Sequence, residues 1–376
     1  MQNCFFNILE NNHMKKVSII IPVYNVEAYI EDCIASVMAQ DYEQLEVLIV
    51  DDCTPDQSIS IVEKMISGYE GPHTYRIIRH AKNGGQSAAR NSGISEATGE
   101  LIYFLDSDDY ICEKAISNLV ELYIETHANI VVGNLKIVDY QTKEVIRDSI
   151  QLSSSYYFFS SLKDLYACHD VIRMGVNGVP WNKLIEKDFL LKNKLLFDLG
   201  IIFEDDIWNY KVYCCKPKIA VSSSLTYIYR MRPSSIMTTF TEHHFYSSVK
   251  CADIAILYGH HVQQSSNHWF VINGIERYII GALYKSFDKV KSKDTYSRLY
   301  RRYRKKHRPS FELWSNLHVP LATKVKSLHY LLPCILGEKL LLCFLKRQQK
   351  IMRKLYPHQA ALPTIELSDS FWSKIE

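Results

Sequence analysis

Short β-branched runs at Val17 to Val23, Leu45 to Val50, Tyr75 to Arg79 and Leu101 to Leu105 alternate with stretches of helical periodicity, and this alternation constrains the fold most. The runs are continuously apolar rather than alternating, as strands buried on both faces are. Between them, Ala28 to Gln40 carries Ile30, Ile34, Val37 and Met38 at helical spacing. Ile59 to Tyr69 reads as a second helix, and Ser87 to Ala97 as a third, entered through the Gly84-Gly85 turn. Strands and helices in this order predict a doubly wound, mostly parallel α/β sheet.

A helix over Ala115 to His127 and a strand over Ile130 to Val132 continue the pattern. From Asp139 to Ser161 the chain turns polar and serine-rich, as an excursion does, and Gly175 to Trp181 reads as a loop. Ile201-Ile202-Phe203 leads into Glu204-Asp205-Asp206 and a helix through Tyr213. Beyond Ile236 the pattern is helical, clearest over Phe245 to Gly259 and His268 to Val290. The organisation expected is an unstructured extension over 1–13, an α/β domain over 14–235, and a helical, basic region over 236–376. Met14-Lys15-Lys16 immediately precedes the first strand, so both Met1 and Met14 stand as translation starts.

With 376 residues the chain can bury a large core, and a formal charge of +3 is too small to mark nucleic acid as a partner. Ten cysteines show neither zinc-site spacing nor a secreted disulfide framework, which points to free thiols in a reducing cytosol. The first fourteen residues lack the basic start, apolar core and cleavage site of a signal peptide.

Every strand in the first hundred or so residues, save one, ends in polar or acidic groups: Tyr24-Asn25, Asp51-Asp52 and Asp106-Ser107-Asp108-Asp109. Parallel strands align their carboxyl ends, so these groups converge on one rim, where open α/β sheets bind ligands. One such acidic turn is often only a cap or a solvated loop. Three carboxylates in four residues repel one another, and a hard divalent cation with a phosphate-bearing ligand relieves that repulsion. Neither a Gly-x-x-x-x-Gly-Lys-Ser/Thr loop nor a Gly-x-Gly-x-x-Gly turn follows the first strand, which argues against a P-loop ATPase and a dinucleotide oxidoreductase.

Four segments, Ser18-Ile19-Ile20-Ile21-Pro22-Val23-Tyr24-Asn25, Val50-Asp51-Asp52-Cys53-Thr54-Pro55-Asp56, Asn83-Gly84-Gly85-Gln86-Ser87-Ala88-Ala89-Arg90-Asn91 and Phe104-Leu105-Asp106-Ser107-Asp108-Asp109, stand in order. Together they resemble the signature of glycosyltransferase family 2, and the similarity covers residues 16–235. The resemblance implies a Rossmann-like GT-A fold, a nucleoside-diphosphate-sugar donor such as a UDP-sugar, and inversion at the anomeric carbon. It implies that Tyr24, beside Pro22 and Asn25, stacks on the nucleobase, with Asp52 accepting from the base edge and Asp51 as its neighbour. Glu27 falls near the nucleoside, although an exposed glutamate at a helix start explains it equally well. Asn83 with Gly84-Gly85 lets the backbone approach the donor. Arg90 lies against the diphosphate or braces the acidic rim.

On the same resemblance Asp106 meets the ribose and Asp108 holds Mg2+ or Mn2+, while Asp109 serves as a neighbour or cap. Inversion needs a base for the acceptor hydroxyl proton. Glu204-Asp205 matches the family's catalytic pair, which makes Asp205 the base and leaves Asp206 as its rival. Tyr227-Ile228-Tyr229-Arg230-Met231-Arg232 resembles a family segment from which Arg230 or Arg232 reaches the diphosphate. Trp181-Asn182-Lys183 resembles an acceptor-side segment, where Trp181 offers a flat face to a sugar, or is simply a core tryptophan.

The implied enzyme is a hexosyl- or N-acetylhexosaminyl-transferase acting on a growing glycan or lipid-linked glycan in cell-surface polysaccharide or lipopolysaccharide assembly. A sugar-nucleotidyltransferase and a catalytically silent sugar-nucleotide-binding subunit are the alternatives. Against the former, Val23-Tyr24-Asn25 stands where a glycine-rich, lysine-bearing loop belongs. Near the C-terminus, Arg298 to Arg308 and Lys346 to Lys354 are basic, and Leu328 to Leu345 is apolar but broken by Pro333 and Glu338-Lys339. That pattern suits an element lying on an anionic membrane surface rather than spanning a bilayer. It places the protein in the cytoplasm, peripheral on the inner face of the cytoplasmic membrane.

Overall fold

The computed structural model describes residues 14–168, 178–231, 240–262, 268–355 and 362–375, so the expected extension over 1–13 and Arg232 lie outside the described residues. The chain divides into two compact units, Met1–Leu199 with Pro217–Arg232, and Gly200–Lys216 with Pro233–Glu376.

The first unit is built on one sheet. Its strands are β1 (Val17–Val23), β2 (Leu45–Asp51), β3 (Thr74–Arg79), β4 (Leu101–Phe104), β5 (Tyr110–Ile111), β6 (Ile130–Asp139), β7 (Val145–Arg147), β8 (Tyr156–Phe159), β9 (Lys183–Glu186) and β10 (Ile219–Met231). Helices α1 (Ile30–Met38), α2 (Ser58–Ser67), α3 (Gln86–Glu96), α4 (Ala115–Thr126), α5 (Leu162–Ala167) and α6 (Lys187–Lys192) connect them. The sheet order is β3-β2-β1-β4-β9-β6-β10-β5, with β7 on β6 and β8 on β10. β3, β2, β1 and β4 run parallel, β9 enters antiparallel, and β6 and β10 are parallel to each other.

Every residue of β1 and β4 is buried, as their unbroken apolar runs require. Ile30, Cys33, Ile34 and Val37 turn one stripe of α1 into the same core. The chain winds outward from β1 through β2 to β3, then returns to place β4 on the other side of β1. This is the topological switch point, where the loops at the carboxyl ends part and leave a crevice. Register brings those ends level: Val23 pairs with Asp51, Asp51 with Arg79, and Leu105 N–H donates to Ile20 O at 3.1 Å.

Beyond β4 the sequence pattern is incomplete, giving β6 only as far as Val132 and none of β5, β7, β8, β9 and β10. β10 is long but carries Ser222-Ser223-Ser224 at its centre, where the ladder with β6 shifts register between Val221 and Leu225. β6 runs past Val132 because Asn134, polar and buried, finds partners inside: its Nδ2 donates to Ile150 O and Ser223 O at 2.8 and 3.2 Å. The serine-rich excursion after Asp139 holds β7 and β8.

The second unit is helical, with α7 (Glu204–Cys214), α8 (Glu242–Val262), α9 (His268–Asp288), α10 (Lys293–Lys306), α11 (Glu312–Ser315), α12 (Leu321–Ser327), a 3-10 turn (Leu328–Leu331), α13 (Cys334–Leu355) and α14 (Phe371–Ile375). Two arginines of the first basic stretch turn inward. Arg302 grips Asp253 through two bonds of 2.7 and 2.8 Å, and Arg304 donates to the carbonyls of His329, Tyr330 and Leu332. No helix among the described residues is long and apolar enough to cross a membrane.

Candidate active site

The four loops at the carboxyl ends of β1 to β4 are tied crosswise, and most of the polar residues singled out in the sequence do the tying. The β1 and β2 loops clasp each other. Asn25 N–H donates to Thr54 Oγ1 at 2.8 Å and Glu27 N–H to Asp56 Oδ2 at 2.9 Å, while Glu27 Oε2 accepts from Gln57 N–H at 3.1 Å. The backbone turns sharply enough to place Asn25 and Cys53 in the left-handed region, with φ of 55° and 59°. Glu27, expected near the nucleoside or at the start of its own helix, bonds to the backbone at the entry to α2.

Asp52 binds the β2 loop to the β3 loop. Its buried carboxylate accepts from His80 Nδ1 at 2.7 Å, Gly84 N–H at 2.8 Å and Gly85 N–H at 2.7 Å. His80 is held in turn at 2.9 Å from Ser92 Oγ on α3. Gly85 has φ 82°, a conformation that penalises any side chain. At Gly84 an added Cβ would sit 2.8 Å from the Ala88 Cβ, so this turn is pressed onto α3. Asp52 therefore shapes the loop carrying exposed Asn83. Its neighbour Asp51 keeps more exposure and accepts from Thr54 N–H at 2.9 Å.

Arg90 links α3 to the acidic cluster. It is 1% exposed, lies 5.2 Å from the Phe197 ring centroid, and donates from Nη2 to Asp106 Oδ1 at 2.8 Å. Gln86 Nε2 donates to the same oxygen at 3.2 Å. Arg90 is thereby tied to the acidic rim, one of the two placements expected for it.

Oxygens of Asp106, Asp108 and Asp109 lie within 4.8 Å of one another. Asp106 and Asp108 are half-buried, whereas Asp109 is buried, accepting from Tyr227 OH and from Arg230 N–H at 2.7 Å each. Burial pushes the Asp109 carboxyl well above the usual range, and the charges of Asp108 and Asp106 push it further. An all-oxygen donor set under this mutual repulsion fits a hard divalent cation such as Mg2+ or Mn2+.

Arg230 departs from expectation. Rather than facing a diphosphate, its guanidinium is fully buried beneath the cluster, donating to Asp32 Oδ2 at 2.7 Å, Tyr29 O at 3.0 Å and Asp108 O. The rings of Tyr29 and Tyr110 lie 5.4 and 5.2 Å from it. It braces the floor of the site, because a buried guanidinium is stable only when its donors are occupied. Asp32 and His80, which hold the floor and the rim, carried no signal in the sequence, and Gln86 and Tyr227 stood in the family-like segments without an assigned role; the Arg230–Asp32 pair joins residues far apart in the chain.

Tyr24 is 47% exposed at the end of β1, while Pro22 is buried in the strand. Trp181 is half-buried, its ring stacked on Tyr227 and Tyr229 at centroid distances of 4.6 and 5.6 Å. Asn182, buried with φ 56°, uses its side chain wholly inside: Nδ2 donates to Gly133 O and Asn134 O, and Oδ1 accepts from Thr226 Oγ1 at 2.7 Å and from Tyr103 OH at 3.3 Å.

Asp205 belongs to the second unit, at the start of α7. Its Oδ1 accepts from Asp206 N–H at 2.7 Å, and Asp206 Oδ1 accepts from Arg277 Nη2 at 2.8 Å. The helix is entered through Phe203 with φ 72°, a strained conformation for a bulky residue.

An acidic, cation-compatible rim at the switch point of a sheet half parallel and half mixed is the architecture expected of a GT-A glycosyltransferase. Residues 18–178 match the profile of glycosyl transferase family 2. An uncharacterized glycosyltransferase of Haemophilus influenzae is 32% identical over 257 residues, which cover 57% of this chain and 94% of that protein. The chain belongs to glycosyltransferase family 2. Glycosyltransferase GlyA of Streptococcus pneumoniae is 32% identical over 232 residues, 60% of this chain but only 32% of GlyA, so the match spans about a third of that relative. Among solved structures, residues 1–349 of S. aureus TarS in complex with UDP-GlcNAc superpose with a TM-score of 0.64 at 19% identity, covering 90% of this chain and 92% of that one. TarS is a poly(ribitol-phosphate) β-N-acetylglucosaminyltransferase, and over 129 residues, 34% of this chain and 22% of TarS, its sequence is 35% identical.

Proposed function

We propose that the protein is a metal-dependent, inverting glycosyltransferase that moves a sugar from a nucleoside-diphosphate sugar, a UDP-sugar, to a hydroxyl of a growing or lipid-linked glycan in cell-surface polysaccharide assembly. The observation that carries this reading is the convergence of Asp106, Asp108 and Asp109 oxygens within 4.8 Å at the switch point of the sheet. The UDP-GlcNAc bound to TarS and the poly(ribitol-phosphate) in its name support a nucleotide-sugar donor and a cell-surface polymer as acceptor class.

On this reading Tyr24 stacks on the nucleobase beside Pro22 and Asn25, and Asp52 accepts from the base edge with Asp51 as its neighbour. Asn83 lines the donor on the loop that Asp52 shapes, and Asp106, fixed by Arg90, receives the ribose. Asp108 holds Mg2+ or Mn2+, which supplies neutralisation of charge developing on the departing diphosphate. Trp181 presents its free edge to the acceptor, and Asp205 takes the proton from the acceptor hydroxyl as the bond to the anomeric carbon forms.

Incubating the purified protein with Mn2+ and a panel of nucleotide sugars tests the reading. Release of nucleoside diphosphate with product of opposite anomeric configuration supports it. Pyrophosphate release would replace it with nucleotidyl transfer, and binding without turnover with a silent subunit.

Helix α13 supports a location on an anionic membrane surface. α13 buries Gly337, Leu341 and Leu345, while its outer side exposes Lys339, Lys346, Arg347, Lys350 and Lys354. Its only acid, Glu338, is half-buried and bonded to Ser297. Leu331, Ile335 and Leu336, next to this basic face, are 63%, 67% and 55% exposed. Cations beside bare leucines suit an anionic bilayer surface, since a phosphate polymer has no place for the apolar side chains. Sedimentation with vesicles containing phosphatidylglycerol, but not with neutral vesicles, is the expected result. Unchanged sedimentation of a Leu331→Ser, Ile335→Ser, Leu336→Ser variant would remove the apolar half of this argument.

A further inference from the structure

The helical unit encloses a recess of about 240 Å³ between the start of α7 and the facing sides of α8 and α9. Phe203, Asp206, Arg277, Tyr278, Gly281 and Lys285 line it. Its charges are unequal: two cations face one carboxylate. Arg277 is taken up, donating from Nη2 to Asp206 Oδ1 at 2.8 Å and to Tyr278 OH at 3.0 Å. Lys285 is not. Its half-buried ammonium sits 4.1 Å from the Phe203 ring centroid, and no described carboxylate lies within 4.0 Å of it.

An ammonium resting on an aromatic face keeps its hydrogen-bond donors unmatched, and partial burial makes those donors seek an anion more strongly than they would in water. Burial accordingly lowers the Lys285 pKa. The space beside it is open: a Cβ added at Gly281 would meet nothing within 4 Å. Phe203 owes its position under Lys285 to the strained φ of 72°.

We infer that this recess is an oxyanion subsite, taking a phosphate or carboxylate group of a sugar or polyol, with Lys285 as its principal ligand and Phe203 and Tyr278 as its apolar walls. Identifying that ligand with the acceptor rests on the transferase reading, because Asp206 adjoins the proposed base Asp205. Anion binding itself does not rest on it. The volume accommodates one small charged unit, so the specificity is for an anionic substituent rather than for a long chain.

The test is ligand-detected NMR titration of the full chain at constant ionic strength with glycerol 3-phosphate and glucuronate, against glycerol and glucose. Saturable binding of one or both anions is expected and none of the neutral compounds, with the preferred anion showing which source of oxyanion the recess selects. Lys285→Met should weaken binding at least about fivefold, Lys285→Arg should retain it, and Gly281→Leu should abolish it by filling the space. Binding of neutral and anionic probes alike, or undiminished anion binding by Gly281→Leu, overturns the subsite. The thermal midpoint of each variant is compared with wild type; if Lys285→Met does not fold, Gly281→Leu decides. Sugar transfer without anion binding would defeat this inference and leave the transferase reading intact, and anion binding without donor turnover would do the reverse.

Discussion

Both units hold aspartates on hydrogen-bond donors, and the donors differ. In the α/β unit the donors are mostly backbone N–H groups and side chains of neighbouring loops: Gly84, Gly85 and His80 on Asp52, Thr54 on Asp51, Tyr227 OH and Arg230 N–H on Asp109. In the helical unit guanidinium groups cross from one helix to another, Arg277 to Asp206 and Arg302 to Asp253. Backbone donors fix a carboxylate in direction without neutralising it; in the α/β unit guanidinium groups add to them only locally, Arg90 on Asp106 and Arg230 on Asp32, so the acidic rim is partly rather than fully neutralised. Guanidinium pairs cancel charge, which leaves the unmatched Lys285 as the exception in its neighbourhood.

Separating the two units by substitution tests that contrast. The largest effect is expected at Asp205→Asn, which should lower kcat about 100- to 10,000-fold while leaving donor affinity unchanged, since the base acts only on the acceptor proton. Loss of donor affinity by that variant would assign the helical unit a share in holding the donor. Next in size, Arg230→Met should lower the thermal midpoint, each stranded carbonyl costing about 1–3 kcal/mol, and Arg230→Lys should not rescue it because one ammonium cannot replace a branched donor. An unchanged midpoint with a raised donor KM would return Arg230 to the diphosphate.

The helical unit should also be the acid-sensitive one. Burial, reinforced by Arg304, lowers the His329 pKa from 6.5 to about 3. Between those values the unfolded chain binds a proton that the folded chain refuses, so stability is complete above the higher value and is lost as pH falls toward the lower. The loss is on the order of a few kcal/mol, and urea midpoints measured from pH 7 to pH 4 should fall less steeply in His329→Gln. Equal slopes would show that other groups set the acid response. The smallest effect belongs to Gly85→Ala. With nothing within 4 Å of the new Cβ, only the glycine-type backbone conformation, φ 82° and ψ 169°, is penalised, by about 1–3 kcal/mol of stability, accompanied by a modest rise in donor KM.

The parallel half of the sheet was legible because its strands are buried on both faces and announce themselves as continuous apolar runs. The rim was legible for the same reason: parallel strands in register bring separate polar turns together without further information. β10 was not, since Ser222, Ser223 and Ser224 break the run at a register shift that only pairing with β6 and β8 makes tolerable. Arg230 was misjudged because its partners are set by tertiary contact; a motif gives the residue but not the direction of its guanidinium. The same holds for Arg302 and Arg304, which look like surface charge in sequence and are structural ligands in the fold. Tyr24 and Asp108 remain as the reading placed them, at the rim, and their roles there are what experiment must decide.

The central claim is that Asp108 holds a divalent cation for the diphosphate of a nucleotide. Calorimetric titration of UDP into wild type and Asp108→Asn, each with Mn2+ and with EDTA, addresses it most directly. The expected result is Mn2+-dependent binding in wild type and loss of that increment, by about 100-fold or more, in Asp108→Asn. Equal affinity in Mn2+ and EDTA, or an Mn2+ effect undiminished in Asp108→Asn, would contradict it.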